Sequence, residues 1–289
     1  MMWQTTRFRL DLSEPRVMGI VNVTPDSFSD GGTLSQVRHA VAHCEKLLTD
    51  GADILDIGGE SSRPGARPVS LEEETRRVWP VLQEALRLQC PVSLDTVKPP
   101  LMQRALDAGV DIINDVHALR SPGAIDAVAA HPQCGVVLMH MQGLPGNMQK
   151  APQYTDVLRE VAAFFEERLQ LLVSQAGIAR ERIVLDPGIG FGKTIDHNWA
   201  LLRRQDELLS LGQPLLVGWS RKSTLGSLTG RDVGDRLAAS VAAALAAVNN
   251  GARIVRVHDV AQTVDALKVW RAGGLIKPAV KMKDNLPPP

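Results

Sequence analysis

Aromatic side chains are scarce: five Trp, one Tyr and five Phe make up 4% of the 289 residues. A surface that binds nucleic acid by stacking bases needs more of them. Net charge is missing as well, because 32 basic residues balance 32 acidic ones. A dedicated nucleic-acid binder usually shows a basic excess. No stretch reaches the roughly 18 uninterrupted apolar residues that mark a membrane helix. The longest apolar stretch, 237–248, is Ala-rich, contains Ser240 and is flanked by Arg236 and Asn249. It reads as a packed helix. The opening MMWQTTRFRLDL carries no apolar signal core. Cysteine is limited to Cys44, Cys90 and Cys134, an odd number with no C-x-x-C. These are expected as small buried side chains in a reducing compartment. The exclusions leave a cytoplasmic protein with neither nucleic-acid nor membrane partners.

What is present is an alternation of two textures. Eight short, nearly all-apolar runs recur at 17–23, 53–57, 92–94, 111–114, 136–139, 183–185, 215–217 and 253–257. Such runs suit parallel strands buried on both faces. Longer amphipathic stretches separate many of them. Val37, Val41, Cys44, Leu47 and Leu48 share one face of a helix over 35–49. A helix over 71–89 opens with three glutamates, as its N-terminal dipole favours. A third, over 155–176, stops at Gly177. Helices over 236–249 and 260–271 stop before glycines in the same way. Strands alternating with helices imply right-handed parallel crossovers. The economical closure is a single (β/α)8 TIM barrel over 1–275 with a C-terminal tail at 276–289. An open doubly wound sheet is the second choice.

The strand ends carry the chemistry. Asn22, Asp56, Asp95, Asn114, Asp115, His140, Asp186, Lys222, Arg256 and His258 all lie at or just beyond these runs. In a barrel they gather on the one face where barrel active sites form. One Asp after a strand is an ordinary helix cap. A whole ring of buried polar groups is costly unless it binds something. Asp95, Asn114 and Asp186 suit a heterocycle with adjacent N–H donors, since a carboxylate accepts two parallel N–H bonds. Arg63, Lys222, Arg256 and His258 suit a phosphate or diphosphate. Asn22, with Asp56 nearby, offers oxygen to Mg2+, which keeps waters and shares substrate phosphates.

Three other patterns carry less. His39, His43 and Cys44 lack the H-E-x-x-H arrangement of a zinc enzyme. The run from Gly188 to Thr194 fails as a Walker A loop because Pro187 occupies its first glycine position. It fails G-x-G-x-x-G because position 193 is Lys. It is a Gly-rich loop able to approach a ligand closely. The stretches at 22–32 and 58–66 are long, polar and punctuated by Gly and Pro, a composition typical of functional lids.

Taken with those loops, the chain closely resembles the dihydropteroate synthase family of folate biosynthesis. The matching blocks are MGIVNVTPDSFSDGG (18–32), DILDIGGESSRPGA (53–66), SLDTVKP (93–99), IINDV (112–116), LMHMQG (138–143), LDPGIGFGK (185–193), VGWSRKS (217–223) and RIVRVHDV (253–260). They span almost the whole chain in the family's order. Pterin-binding corrinoid methyltransferases share the barrel and part of the Asp/Asn ring, but are not expected to carry TPDSFSD and SRKS together.

The resemblance implies condensation of 6-hydroxymethyl-7,8-dihydropterin diphosphate with 4-aminobenzoate, giving 7,8-dihydropteroate and diphosphate. It implies that Asp95, Asn114, Val116, Met139, Asp186 and Lys222 bind the pterin. Asn22, Ser62, Arg63, Arg256 and His258 would hold the diphosphate, and Asn22, helped by the loop around Asp26, would hold Mg2+. Phe28, Ser62, Pro64, Phe191, Lys222 and Ser223 would form the aminobenzoate pocket, which is also the sulfonamide target. Asp56, Asp95, Lys222 and Arg256 would carry catalysis, with carboxylates gathered at the pterin and cations at the diphosphate. A homodimer is implied too, with the Ala-rich helix as the candidate interface. Ser62 stands where the family often has Thr, Trp219 where a smaller apolar residue is common, and His117 where a small polar one is. The alternatives are a non-enzymatic pterin-binding paralogue and a corrinoid-linked methyltransferase using methyltetrahydrofolate.

Overall fold

The computed structural model describes residues 1–24, 33–61, 65, 66, 68–143, 146 and 148–277. A short antiparallel hairpin comes first, β1 (Met2–Gln4) and β2 (Arg9–Asp11). Eight parallel strands follow: β3 (Arg16–Asn22), β4 (Ile54–Gly58), β5 (Val92–Asp95), β6 (Ile112–Asp115), β7 (Gly135–Met139), β8 (Ile183–Asp186), β9 (Leu215–Val217) and β10 (Ala252–Val257). They close in sequence order, with β10 pairing both β9 and β3. The helices are α1 (Thr33–Thr49), α2 (Leu71–Ala85), α3 (Pro99–Asp107), α4 (Ala124–Ala129), α5 (Val157–Leu169), α6 (Ile195–Arg203), α7 (Ser223–Thr229), α8 (Leu237–Asn249) and α9 (Val260–Ala272). This is the expected (β/α)8 barrel. The expected tail lies mostly outside the described residues, which end at 277.

Strand residues alternate between two environments, as the pleat requires. Val17, Leu55, Leu94, Ile113, Leu138, Leu185, Val217 and Val255 face outward into the main core beneath the helices. Met18, Ile54, Ile112, Val137, Val184, Leu216 and Ile254 face inward and meet as one plug. Two residues further along, inward positions become Asp56, Asn114, Met139, Asp186 and Arg256. The barrel interior is therefore apolar at its N-terminal end and mostly polar at its C-terminal end.

The plug has a lid that the sequence reading left without structure. Trp3 and Leu12 of the N-terminal hairpin are fully buried against the plug residues. The indole Nε1 of Trp3 donates to the Arg182 carbonyl at 2.9 Å. Elsewhere the helices sit close to expectation. Ser70 caps α2 by accepting from the Glu73 N–H at 3.2 Å. The helix expected over 155–176 is α5 followed by a wider turn at Gln170–Gln175, and it ends where Gly177 adopts φ 67°. Cys44, Cys90 and Cys134 are all buried.

Candidate active site

Two strand-end carboxylates converge on one guanidinium. Arg256, near the end of β10, donates from Nε to Asp56 Oδ2 at 2.6 Å and from Nη2 to Asp95 Oδ2 at 2.9 Å. Asn114 Nδ2 donates to the same Asp56 oxygen at 3.1 Å. Asp56 is fully buried, and its Oδ1 accepts no hydrogen bond among the described residues. Burial pushes the Asp95 carboxyl up from its ordinary value; Arg256 pulls it down, and the adjacent Asp56 pushes it up again. Burial works against the Arg256 cation, but Asp56 and Asp95 more than offset this and raise it. The expected separation of carboxylates from cations is thus replaced by interleaving. A buried carboxylate pair without a counterion is too costly, and Arg256 supplies one.

Asp186 closes the other side. Its Oδ1 accepts from the Gly188 N–H at 2.7 Å. Burial raises its carboxyl, opposed by that hydrogen bond and by Lys222, Arg256 and Lys193. Between Asp186 and Asn114 lies a small apolar cluster of Val116, Met139, Met141 and Met148, with Val97 and Phe191 against it. The ammonium of Lys222 sits 4.2 Å from the centroid of the Phe191 ring. Val116 and Met139, assigned to the pterin by resemblance, therefore share one surface with Phe191, assigned to the aminobenzoate.

The remaining candidates divide into two groups. Asn22 is half-buried at the end of β3, paired in register with Gly58. His258 lies beyond β10, where the Ser220 hydroxyl contacts its Nδ1 at 2.9 Å and accepts from its backbone N–H at 3.1 Å. Ser223 is exposed at the first residue of α7. Phe28, Ser62, Arg63 and Pro64, together with Asp26, lie outside the described residues.

Several contacts escaped the sequence reading. Lys98 joins Glu60, beyond β4, to the buried Glu74 of α2. Arg77 of the same helix donates to the Gly59 carbonyl at 2.9 Å. Together they anchor the loop that leads to 62–64. Lys193 and His140 form a buried pair behind Asp186, with Lys193 Nζ at 2.9 Å from His140 Nδ1. No sequence spacing announces these pairs. Trp219, which stands where the resemblance implies a smaller apolar residue, is buried in the outer core and stacks on Trp199 of α6 at 5.3 Å, while its carbonyl accepts from the Lys222 N–H at 3.2 Å.

A barrel with this ring at its C-terminal mouth matches a family described as pterin binding enzymes, whose model covers residues 18–258. The dihydropteroate synthase of Neisseria meningitidis serogroup C is 56% identical over 277 residues, covering 94% of this chain and 98% of that protein. Dihydropteroate synthase from Xanthomonas albilineans, solved with 4-aminobenzoic acid, superposes with a TM-score of 0.87 at 53% identity, covering 93% of this chain and 96% of that one. The Burkholderia cenocepacia enzyme, complexed with 7,8-dihydropteroate, gives a TM-score of 0.86 at 48% identity, with 94% and 96% covered. The chain belongs to the pterin-binding enzymes, within their dihydropteroate synthase family.

Proposed function

We infer that this chain condenses 6-hydroxymethyl-7,8-dihydropterin diphosphate with 4-aminobenzoate, releasing 7,8-dihydropteroate and diphosphate. The observation that carries the reading is the inward ring of Asp56, Asp95, Asn114, Asp186 and Arg256 with Lys222 at its rim, in a chain of this family. Asp95, Asn114 and Asp186 bind the donor-rich pterin edge, while Val116 and Met139 cover its faces. Arg256 and His258, with Arg63, bind the diphosphate. Lys222 stands between the two substrates, and Phe191 and Ser223 face the aminobenzoate with Phe28, Ser62 and Pro64.

The bond that breaks joins the pterin methylene carbon to a diphosphate oxygen, which leaves with the electron pair. The aniline nitrogen forms the new bond to that carbon and then loses a proton. The electron-rich ring delocalises positive charge as the diphosphate departs, so an SN1-like path fits. When ionised, the carboxylates of Asp95 and Asp186 favour that charge. Arg256 is already charged and desolvated, so it needs little reorganisation to meet the leaving group. No covalent nucleophile is required.

The Mg2+ part of the reading rests on donor chemistry. Among the described residues no group of three or more His, Cys, Asp or Glu is placed to hold a metal. Asn22 offers one hard oxygen at the mouth, which suits an ion held mainly by waters and diphosphate oxygens. Bound there, Mg2+ would neutralise charge on the leaving diphosphate.

Turnover is tested with purified protein, Mg2+, both substrates and detection of diphosphate and dihydropteroate. Pterin binding without turnover would leave the non-enzymatic reading, and methyl transfer dependent on a corrinoid protein would leave the other alternative. No described helix is long and apolar enough to cross a membrane, and a cytoplasmic setting fits the folate substrates. A homodimer is also part of the proposal. Exposed Leu237 opens α8, the helix expected to pair, and exposed Leu228 of α7 and Val233 precede it in the chain. Sedimentation velocity should give a dimer, and Leu237→Asp should shift it towards monomer; an unchanged mass would place the interface elsewhere.

A further inference from the structure

Lys193 is 2% exposed, yet its ammonium meets three uncharged acceptors rather than a carboxylate. They are His140 Nδ1 at 2.9 Å, the His140 carbonyl at 3.3 Å and the Phe191 carbonyl at 3.0 Å. An ammonium has three protons, so these three bonds satisfy it. The acceptors belong to two segments. His140 follows β7, and Phe191 lies in the Gly-rich loop after β8.

That loop is docked on the end of β7 along its length. A Cβ at Gly188 would fall 2.0 Å from the His140 carbonyl oxygen, and one at Gly192 would fall 2.2 Å from the Gln142 carbonyl oxygen. The Tyr154 hydroxyl donates to the Gly192 carbonyl at 2.8 Å. Tyr154 and Phe164 pack on the His140 ring, with centroids 6.1 and 5.0 Å away. At one end of the loop, Asp186 receives the Gly188 N–H. At the other, Phe191 packs on the Val116–Met139 surface under Lys222. Whatever holds the loop to β7 therefore sets the distance between the pterin carboxylate and the aromatic wall.

We propose that Lys193 is a positioning residue for both substrates: its three hydrogen bonds to His140 and Phe191 pin the Gly-rich loop to β7 and so fix Phe191 and Asp186. This rests on the reading of Phe191 and Asp186 as pocket residues given above. Burial pushes Lys193 down to about 7 and His140 down to about 2, so His140 stays a neutral acceptor while the Lys193 charge is lightly held. The charged and titratable groups around the pair are Asp186, Lys222 and Arg120, with Tyr154 on the His140 ring.

The test compares wild type, Lys193→Met and His140→Phe. Met keeps the length of the lysine stem and loses its donors. Phe keeps the ring packing and loses the Nδ1 acceptor. KM for each substrate, kcat and the melting temperature are measured on the same preparations. For Lys193→Met we expect aminobenzoate KM to rise about tenfold, pterin diphosphate KM to rise less and kcat to fall. For His140→Phe the same pattern should appear at roughly threefold. A lower melting temperature with wild-type KM values in both variants would mark the pair as merely structural and overturn the proposal. If Lys193→Met fails to fold, His140→Phe decides: raised aminobenzoate KM supports the role, and wild-type KM refutes it. Wild-type turnover is the control for the reaction itself, so failure there would strike the functional reading and not this one.

Discussion

Arg256 has two partners in the structure, Asp56 and Asp95, and both are strand-end carboxylates. Sequence placed all three at the barrel mouth but assigned the arginine to a separate anion site. In the protein it is the counterion of the carboxylates. Asp56→Asn keeps the shape and removes the charge behind a charge-assisted hydrogen bond worth about 2 kcal/mol. It should lower kcat/KM by roughly thirtyfold in steady-state assays, and an unchanged value would remove Asp56 from the machinery. Asp95 predicts a pH dependence. Its carboxyl is raised by burial and by Asp56, despite Arg256. Protonated, it cannot accept two N–H bonds, so pterin binding weakens as pH falls and strengthens as pH rises through its raised range. Titration calorimetry across mildly acidic to neutral pH should show that slope, and Asp95→Asn should reduce it. An opposite slope would place the controlling proton elsewhere.

At the scale of elements, the barrel strands were legible because each is a short apolar run buried on both faces. The inward-facing candidate residues were legible because polar side chains interrupt those runs at their C-terminal ends. The hairpin of β1 and β2 was not, since three residues per strand give too little alternation to read. The lock between the Gly-rich loop and β7 was not legible either, because Lys193 and His140 are distant in sequence and meet only through the barrel's strand order. Its glycines carry a prediction. Gly192 has φ 58° and no room for a Cβ beside the Gln142 carbonyl. Gly192→Ala should cost about 1–3 kcal/mol of stability and lower kcat/KM in the same preparation. Urea denaturation with unaltered stability would contradict the tight docking.

For the whole molecule, the two ends of the barrel do different work. The N-terminal end is closed by Trp3 and Leu12 on an apolar plug, which lies between them and the ring of Asp56, Asp95 and Asp186. Trp3→Ala should therefore cost about 3–5 kcal/mol of unfolding free energy, while kcat/KM below the transition stays near wild type. A matching loss of activity in the folded enzyme would mean that the two ends are coupled. Sequence by itself determined the order of strands and helices, the face on which the chemistry gathers and the residue types of the site. Those follow from local hydrophobic pattern and from motifs that are contiguous in the chain. Only the tertiary structure decided which charges neutralise one another, what seals the barrel and what holds the Gly-rich loop. Each of these is a contact between segments far apart in sequence, set by barrel closure and by the cost of leaving a buried charge or polar group unpaired.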